Sequence, residues 1–206
     1  RFFLPVQEGY QDNSTSWGHD VEAAKKLLDD AGWVAGSDGV RAKDGTKLEL
    51  VMTIPSNAPV ATNEANLLQK QLGEVGIKLS VSTVEIDKYF PEYINKKNYA
   101  LTAFTTEKTQ YPLANAGQYY ASTSQSNYTG LSVPEVDQYV AKIGSTPDGA
   151  ERNKLANELD KILWENVFNI PIYQRMQLTA VPKTLRNFGA QGLASFRPES
   201  IGYVKS

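Results

Sequence analysis

The chain of 206 residues contains no cysteine and only one histidine, His19. The lack of cysteine excludes disulfide bonds, thiolate metal ligands and thiol catalysis. A zinc site made of protein ligands is disfavoured, because such sites use several histidine or cysteine side chains. His19 lies beside Trp17 just before a predicted helix, which is typical of a surface turn and not of a catalytic base. We therefore expect no metal, no cofactor and no enzymatic activity, with a hydrolase of unrecognised site as an open alternative.

The sequence also has no dense run of basic residues. There are 21 basic and 23 acidic residues, and no basic run exceeds the pairs Lys25-Lys26 and Lys96-Lys97. Phosphate backbones are bound by clustered cations, so nucleic acid is not expected as a partner. No stretch approaches the roughly 20 apolar residues that span a bilayer. With 41% apolar and 21% charged residues, the composition is typical of a globular domain.

Residues 20–105 alternate between helix and strand patterns. Asp20 can cap a helix that ends at Gly32, with an apolar stripe at Ala24, Leu27, Leu28 and Ala31. Asp44-Gly45 predicts a hairpin within 38–54, whose second arm alternates from Leu48 to Ile54. Pro59 suits the first turn of the next helix, whose face carries Ala61, Ala65, Leu68 and Leu72. A strand at 77–81, a helix capped by Asp87 and a strand at 99–105 follow. This order predicts an α/β layer with crossover connections.

The second half begins with residues 106–132, a polar stretch rich in tyrosine without sustained periodicity, which is typical of a functional or mobile loop. A short helix is predicted from Pro134 to Ile143, and Thr146-Pro147 can start a longer one. The buried face of that longer helix carries Leu155, Leu159, Ile162 and Leu163. Residues 167–181 are predicted to be extended, with a strand that starts at Pro171 or lies at a sheet edge. We expect residues 182–206 to form a tail that wraps the surface.

Five segments resemble, in the right order, one family of solute-binding proteins. His19–Trp33 is similar to the family's "DPEKAKKLLDEAGW", Asn127–Asp137 to "N..GYSNPEVD" and Glu151–Leu163 to "R..LY.E.Q.IL". Asn169–Tyr173 resembles "P.IPLY", and Lys183–Phe188 resembles a following "TLRGF". The chain thereby resembles the peptide/oligopeptide-binding family (family 5) of ABC-importer solute-binding proteins. Leu4–Asn13 is most similar to its actinobacterial branch.

This resemblance implies the fold class and the partners. The fold would be α/β, a periplasmic-binding-protein-like (type II) lobe with a mixed β-sheet flanked by helices. Residues 1–206 would form the C-terminal lobe of a bilobal binder, with 182–206 as its return tail, and the apolar opening Arg1–Pro5 favours a piece of a longer protein. Implied partners are a small polar solute or peptide, the N-terminal lobe of the same chain and ABC permease subunits. Implied localisation is extracytoplasmic, as a membrane-anchored lipoprotein or in the periplasmic or cell-wall space.

The resemblance also implies where the solute binds: the cleft edge of the lobe would include residues 104–110, after the third predicted strand, and the tyrosine-rich loop beyond them. Peptide binders of this family carry "W..DY.DP", whose aspartate pairs with the peptide ammonium group. Thr105, Thr106, Glu107 and Lys108 occupy the corresponding stretch. Counting back from Pro112 puts Lys108 at the aspartate position, although Glu107 could replace the aspartate after a small backbone shift. A lysine there would repel an ammonium and favour an anion or a hydroxyl-rich ligand; a rim charge without a ligand role is the alternative for both.

Further candidate ligand contacts are Tyr111, Tyr119, Tyr120, Asn127 and Tyr128, because flat amphipathic rings suit peptides, sugars and lipid headgroups alike. Core packing is the alternative for each tyrosine, and turn formation is the alternative for Asn127. The predicted function is non-catalytic solute capture for an ABC importer. The alternative is a transport-deficient relative that regulates cell-envelope glycolipid assembly through lipid or protein contacts.

Overall fold

The computed structural model describes residues 1–107, 109–175, 178–190, 192–193 and 197–204. They divide into two compact units. The sheet unit comprises Ser14–Thr105 and Gln125–Gly130, and the helical unit comprises Arg1–Asn13, Thr106–Ser124 and Leu131–Ser206.

The sheet unit is organised around a parallel three-stranded sheet. Its strands are β4 (Glu49–Pro55), β5 (Lys78–Val84) and β6 (Leu101–Thr102), in the spatial order β5-β4-β6. Met52 of β4 is in register with Val81 and Leu101 on either side. Because β4 is central, three consecutive residues of it, Met52, Thr53 and Ile54, are buried. Parallel neighbours require crossover connections, and helices supply both of them.

Helix α2 (Pro59–Glu74) makes the first crossover, with Pro59 in its first turn as predicted. Ala61 and Ala65 are buried against the sheet, and their small side chains let the helix approach it closely. The core of this unit consists of Met52, Ile54, Ala61, Ala65 and Leu79, with Leu68 and Leu72 packed against it. The second crossover is the short helix α3 (Ile86–Lys88), which continues as a π-helix over Tyr89–Ile94.

A smaller antiparallel sheet and one helix complete this unit. Helix α1 (Val21–Asp30) begins as predicted, since Asp20 Oδ1 accepts a hydrogen bond from the Ala23 amide at 2.9 Å. Strands β1 (Val34–Ala35), β2 (Arg41–Lys43) and β3 (Thr46–Lys47) form the antiparallel sheet. Asp44 and Gly45 both have positive φ, 51° and 78°, which is the geometry of the predicted tight turn.

The helical unit is built from α4 (Ala116–Tyr120), α5 (Pro134–Ser145) and α6 (Gly149–Glu165). Residues from the start of the chain, including Phe2 and Phe3, join its core beside Val136, Leu159 and Leu163. The predicted buried face of α6 is confirmed for Leu159, Ile162 and Leu163, while Leu155 is partly buried. Strands β7 (Leu185–Arg186) and β8 (Gly202–Tyr203) pair antiparallel within the predicted tail.

Some predicted boundaries were wrong for identifiable reasons. The hairpin arm ends at Lys47, because the following strand β4 pairs in parallel with β5 instead. Asp87 lies inside its helix, since the N-cap position is Glu85. The longer helix starts after Asp148, whose side chain accepts from the Glu151 amide, and not at Thr146-Pro147.

Three further expectations hold only in part. The predicted third strand, 99–105, pairs only over Leu101–Thr102. In α1 the apolar stripe is not a buried face, since Leu27 is 69% exposed. The described residues between 167 and 181 contain no strand.

Candidate functional site

The predicted site residues fall in both units. Thr106, Glu107, Tyr111, Tyr119 and Tyr120 belong to the helical unit, whereas Thr105, Asn127 and Tyr128 belong to the sheet unit. Lys108 lies outside the described residues.

In the helical unit, a surface depression brings together Glu107, Tyr111, Tyr119 and Tyr120 of the predicted residues. It is small and open to solvent. Its lining consists of Phe2, Glu107, Thr109, Tyr111, Pro112, Asn115, Ala116, Tyr119 and Tyr120. The lining therefore combines one carboxylate, a side-chain amide, hydroxyl groups and aromatic rings, which is the mixture expected of a site for a polar organic ligand.

Tyr120 lies in the apolar part of this depression. Its ring packs edge-on against Phe2 (5.5 Å between ring centroids) and Phe168 (6.2 Å). Burial raises the pKa of Tyr120 to about 12, so its hydroxyl stays protonated at neutral pH. Tyr119 is half-buried and packs against Tyr120 at 6.4 Å. Core packing, the alternative that the sequence left open for Tyr120, therefore explains most of the burial of this side chain.

The opposite side of the depression is a loop. Gln7 Nε2 donates to the Thr109 carbonyl at 3.2 Å, which ties this loop to the start of the chain. The Tyr111 amide donates to Thr109 Oγ1 at 3.1 Å. Glu107 is exposed, and Tyr111 is 68% exposed. These polar and aromatic groups are thus accessible to a ligand from solvent.

In the sheet unit, Asn127 behaves as a turn residue. Its side chain is buried, its Oδ1 accepts from Thr129 Oγ1 at 2.7 Å, and its carbonyl accepts from the Gly130 amide at 3.2 Å. These bonds hold the 127–130 turn, which is the alternative that the sequence left open for this residue.

Tyr128 belongs to a cluster of three aromatic rings in the same unit. Phe104 lies 5.5 Å from Tyr128 and 5.6 Å from Phe90, and Phe90 lies 6.5 Å from Tyr128, all in edge-to-face geometry. Phe90 lies in the helix predicted after Asp87, and the sequence carries no site signal for it. Phe104 falls two residues after β6, at the start of the stretch 104–110 that the resemblance implies as part of the cleft edge.

A chain of hydrogen bonds fixes the elements that carry these rings. Thr102 Oγ1 donates to the Thr53 carbonyl at 2.9 Å. The Tyr89 hydroxyl lies 2.6 Å from Thr102 Oγ1 and 3.1 Å from the Ala103 carbonyl, to which it can donate. Burial raises the pKa of Tyr89, which keeps this donor protonated. The Tyr99 hydroxyl donates to the Tyr128 carbonyl at 2.6 Å. Phe90, Phe104 and Tyr128 are therefore each carried by backbone that side-chain hydrogen bonds anchor.

The described part of the chain holds no group of three or more His, Asp or Glu side chains arranged to bind a metal ion. Within the same residues, no helix is both long and apolar enough to cross a bilayer.

The chain is similar to known proteins in both sequence and fold. Residues 2–146 match the model of the bacterial extracellular solute-binding proteins, family 5, middle part. The oligopeptide-binding protein OppA of Mycobacterium tuberculosis is 32% identical over 203 residues, which is 98% of this chain and 34% of that protein. The chain thus spans about a third of the length of this curated relative.

Solved structures of similar fold include two relatives with bound solutes. The oligopeptide-binding protein AppA of Bacillus subtilis, in complex with a nonapeptide, has a TM-score of 0.76 at 18% identity, covering 98% of this chain and 41% of that one. A mannohexaose-bound oligopeptide-binding protein of Thermotoga maritima has a TM-score of 0.69 at 22% identity, covering 82% and 34%. At these identities the likeness concerns the fold alone, and the predicted fold class is confirmed.

Proposed function

The chain belongs to the bacterial extracellular solute-binding proteins of family 5, and we propose that it is a non-catalytic solute-binding component of an ABC import system. Its solute is a peptide or another polar molecule. In a protein of its relatives' length, this chain supplies the C-terminal lobe, the rest of the chain supplies the opposing lobe, and permease subunits receive the solute. The protein works outside the cytoplasm, in the periplasmic or cell-wall space or as a membrane-anchored lipoprotein.

The observation that carries the proposal is the depression of the helical unit with Glu107 in its lining. A carboxylate that faces solvent can pair with the ammonium group of a peptide. Thr109 and Asn115 offer hydrogen-bonding groups beside it, and the ring of Tyr111 offers exposed apolar area. We propose Thr105, Thr106, Lys108, Tyr119, Tyr120, Asn127 and Tyr128 as the other residues that contact the solute or hold the contacting loops.

Capture requires no chemistry on the solute. Contacts from two lobes stabilise a closed form, so the solute shifts an equilibrium between open and closed states. A site that contributes one wall of such a cleft needs accessible polar groups more than depth, and the open depression meets that need. His19, the single histidine, is exposed, and we propose no catalytic role for it.

The test is an ¹H–¹⁵N NMR titration of the chain with penta-alanine and with N-acetylated penta-alanine. We expect weak binding of the free peptide, with a dissociation constant on the order of 1 mM, and shifts at the amides of 106–120. Glu107→Gln should weaken this binding about fivefold or more, because the ammonium loses its carboxylate. N-acetylated penta-alanine lacks the ammonium group, so it should bind more weakly than the free peptide and equally to the wild type and Glu107→Gln.

The matched control is Glu135→Gln, which alters an exposed carboxylate of α5 away from the depression and should leave both titrations unchanged. Equal binding by the wild type and Glu107→Gln would remove Glu107 from the site. Absence of any response to peptide, with a response to an oligosaccharide such as mannohexaose, would show a hydroxyl-rich solute instead. Retention of glycolipid without a response to either solute would favour the glycolipid regulator.

A further inference from the structure

The rings of Phe90, Phe104 and Tyr128 form a cluster that is partly exposed to solvent, and Phe90 also packs edge-on against the buried Tyr89, with 5.4 Å between ring centroids. The buried core of the sheet unit is formed by Met52, Ile54, Ala61, Ala65 and Leu79. The rings lie outside this core: Phe90 is 42% exposed, Phe104 is 37% exposed and Tyr128 is half-buried. A contiguous cluster of partly exposed rings is a feature of interaction sites.

The position of the rings identifies the kind of partner. Phe104 lies just past the carboxyl end of β6, and Phe90 lies in the segment that follows the carboxyl end of β5. In open α/β sheets, small ligands bind outside the carboxyl ends of the parallel strands. The rings therefore occupy the edge of the sheet at which a solute is expected.

The backbone beneath the rings is unusual and firmly held. Phe90 lies in the π-helix Tyr89–Ile94, and π-helical turns occur frequently at functional sites. The neighbouring Tyr89 is 3% exposed and anchors this helix to β6 through Thr102. The π-helix thus buries Tyr89 and leaves the next residue, Phe90, exposed to solvent. Such pre-ordering lowers the entropy that a bound ligand would cost.

Two ion pairs flank Phe90 on its own segment. Lys88 pairs with Glu85 and Lys96 pairs with Glu92, so these charges flanking Phe90 on its own segment offset each other. The ring contacts are edge-to-face and aromatic, a pattern that another aromatic ring extends favourably.

We propose that Phe90, Phe104 and Tyr128 form a subsite for an aromatic side chain of a peptide solute. This inference rests on the proposed solute-binding function, whose own polar contacts lie in the helical unit. The subsite would make the protein prefer peptides with phenylalanine, tyrosine or tryptophan at one position.

The test is an NMR titration of the chain with N-acetyl-phenylalaninamide and, as the matched probe, N-acetyl-alaninamide. Both probes lack the free ammonium, so the result is independent of Glu107. We expect the aromatic probe alone to shift the amides of 89–91, 103–105 and 127–129. Phe104→Ala and Tyr128→Ala should each weaken its binding about 3- to 10-fold, the range of one aromatic pair contact.

Tyr203→Ala is the control, because Tyr203 is 71% exposed and lies in the helical unit; it should leave the titration unchanged. Phe104→Leu keeps apolar volume without a ring, so it should also weaken binding while preserving the thermal midpoint. Wild-type affinity in Phe104→Leu and Tyr128→Ala, or shifts confined to other amides, would overturn the subsite. Binding of the aromatic probe without any penta-alanine binding would count against the proposed peptide site alone.

Discussion

Arg1 and Asp160 form a buried ion pair. Arg1 Nη1 lies 3.0 Å from Asp160 Oδ1, and the two side chains are 1% and 5% exposed. The other carboxylate oxygen accepts from Asn13 Nδ2 at 2.8 Å, and the guanidinium lies over the Trp164 ring at 4.1 Å. Burial lowers the pKa of Arg1, while the hydrogen bond and charge of Asp160 oppose this shift. The start of the chain is therefore held to α6 by a polar network within the helical unit.

Removing one partner of this pair should be costly. Asp160→Ala leaves the guanidinium buried without its counter-charge, and the expected loss of unfolding free energy is about 3–5 kcal/mol. Urea denaturation would measure it. The control is Asp30→Ala, which breaks the exposed Lys26–Asp30 pair and should change stability by less than about 1 kcal/mol. Equal effects of the two substitutions would mean that the Arg1 network does not form.

Two glycines with positive φ offer a matched comparison. Gly45 has φ of 78°, and a Cβ added there would meet nothing within 4 Å. At Gly76 (φ 84°) an added Cβ would lie 2.8 Å from Arg41 Cγ and 3.2 Å from the Gly39 carbonyl oxygen. Gly45→Ala should cost about 1–2 kcal/mol from backbone strain alone. Gly76→Ala should cost clearly more, because the Arg41 side chain must also move. Thermal unfolding of both variants measures the two losses of stability. Equal losses would contradict the close approach at Gly76.

Substitution of two leucines should show the difference between a core helix and a surface helix. Leu163 of α6 is fully buried, so Leu163→Ala should lose about 2–5 kcal/mol. Leu27 of α1 is 69% exposed, so Leu27→Ala should stay within about 0.5 kcal/mol of the wild type. The same denaturation assay compares them. A large loss at Leu27 would show that its stripe packs against something in solution.

Tyr120 should make stability depend on alkaline pH. Its pKa is raised to about 12 in the folded state by burial, against about 10 in the unfolded chain. The unfolded state therefore loses its proton first, so stability is intact below pH 10 and falls as the pH rises towards 12, by about 2–3 kcal/mol in all. Tyr120→Phe should lack this component. Urea titrations of the wild type and Tyr120→Phe at pH 9 and pH 11.5 measure this loss of stability. Equal losses in the two proteins would exclude Tyr120 as the cause.

Local rules predicted the elements whose signals are complete within a few residues. The Asp20 cap, the Asp44-Gly45 turn and Pro59 at a helix start each specify backbone geometry locally, and the structure has all three. The buried face of α6 followed from apolar spacing alone. The order of strands and helices implied the crossover connections, which the structure has between the parallel strands β4, β5 and β6.

The failures depend on contacts between distant residues. The end of β3 at Lys47 cannot be read from alternation, because β4 continues the same pattern while pairing with β5. The exposure of Leu27 could not be predicted from the sequence either. Helical spacing identifies an apolar stripe but does not show whether another element packs against it. The grouping of Phe90 with Phe104 and Tyr128 needed three segments to meet, and only the position of Phe104 after a strand hinted at it.

The central claim is that this chain provides one wall of a solute-binding cleft. Calorimetry with one peptide, carried out on the 206-residue chain and on the longest natural polypeptide that contains it, tests this claim most directly. We predict that the shorter chain binds at least about tenfold more weakly, a difference of about 1.4 kcal/mol or more, because half of the contacts are missing. Equal affinities would contradict the claim.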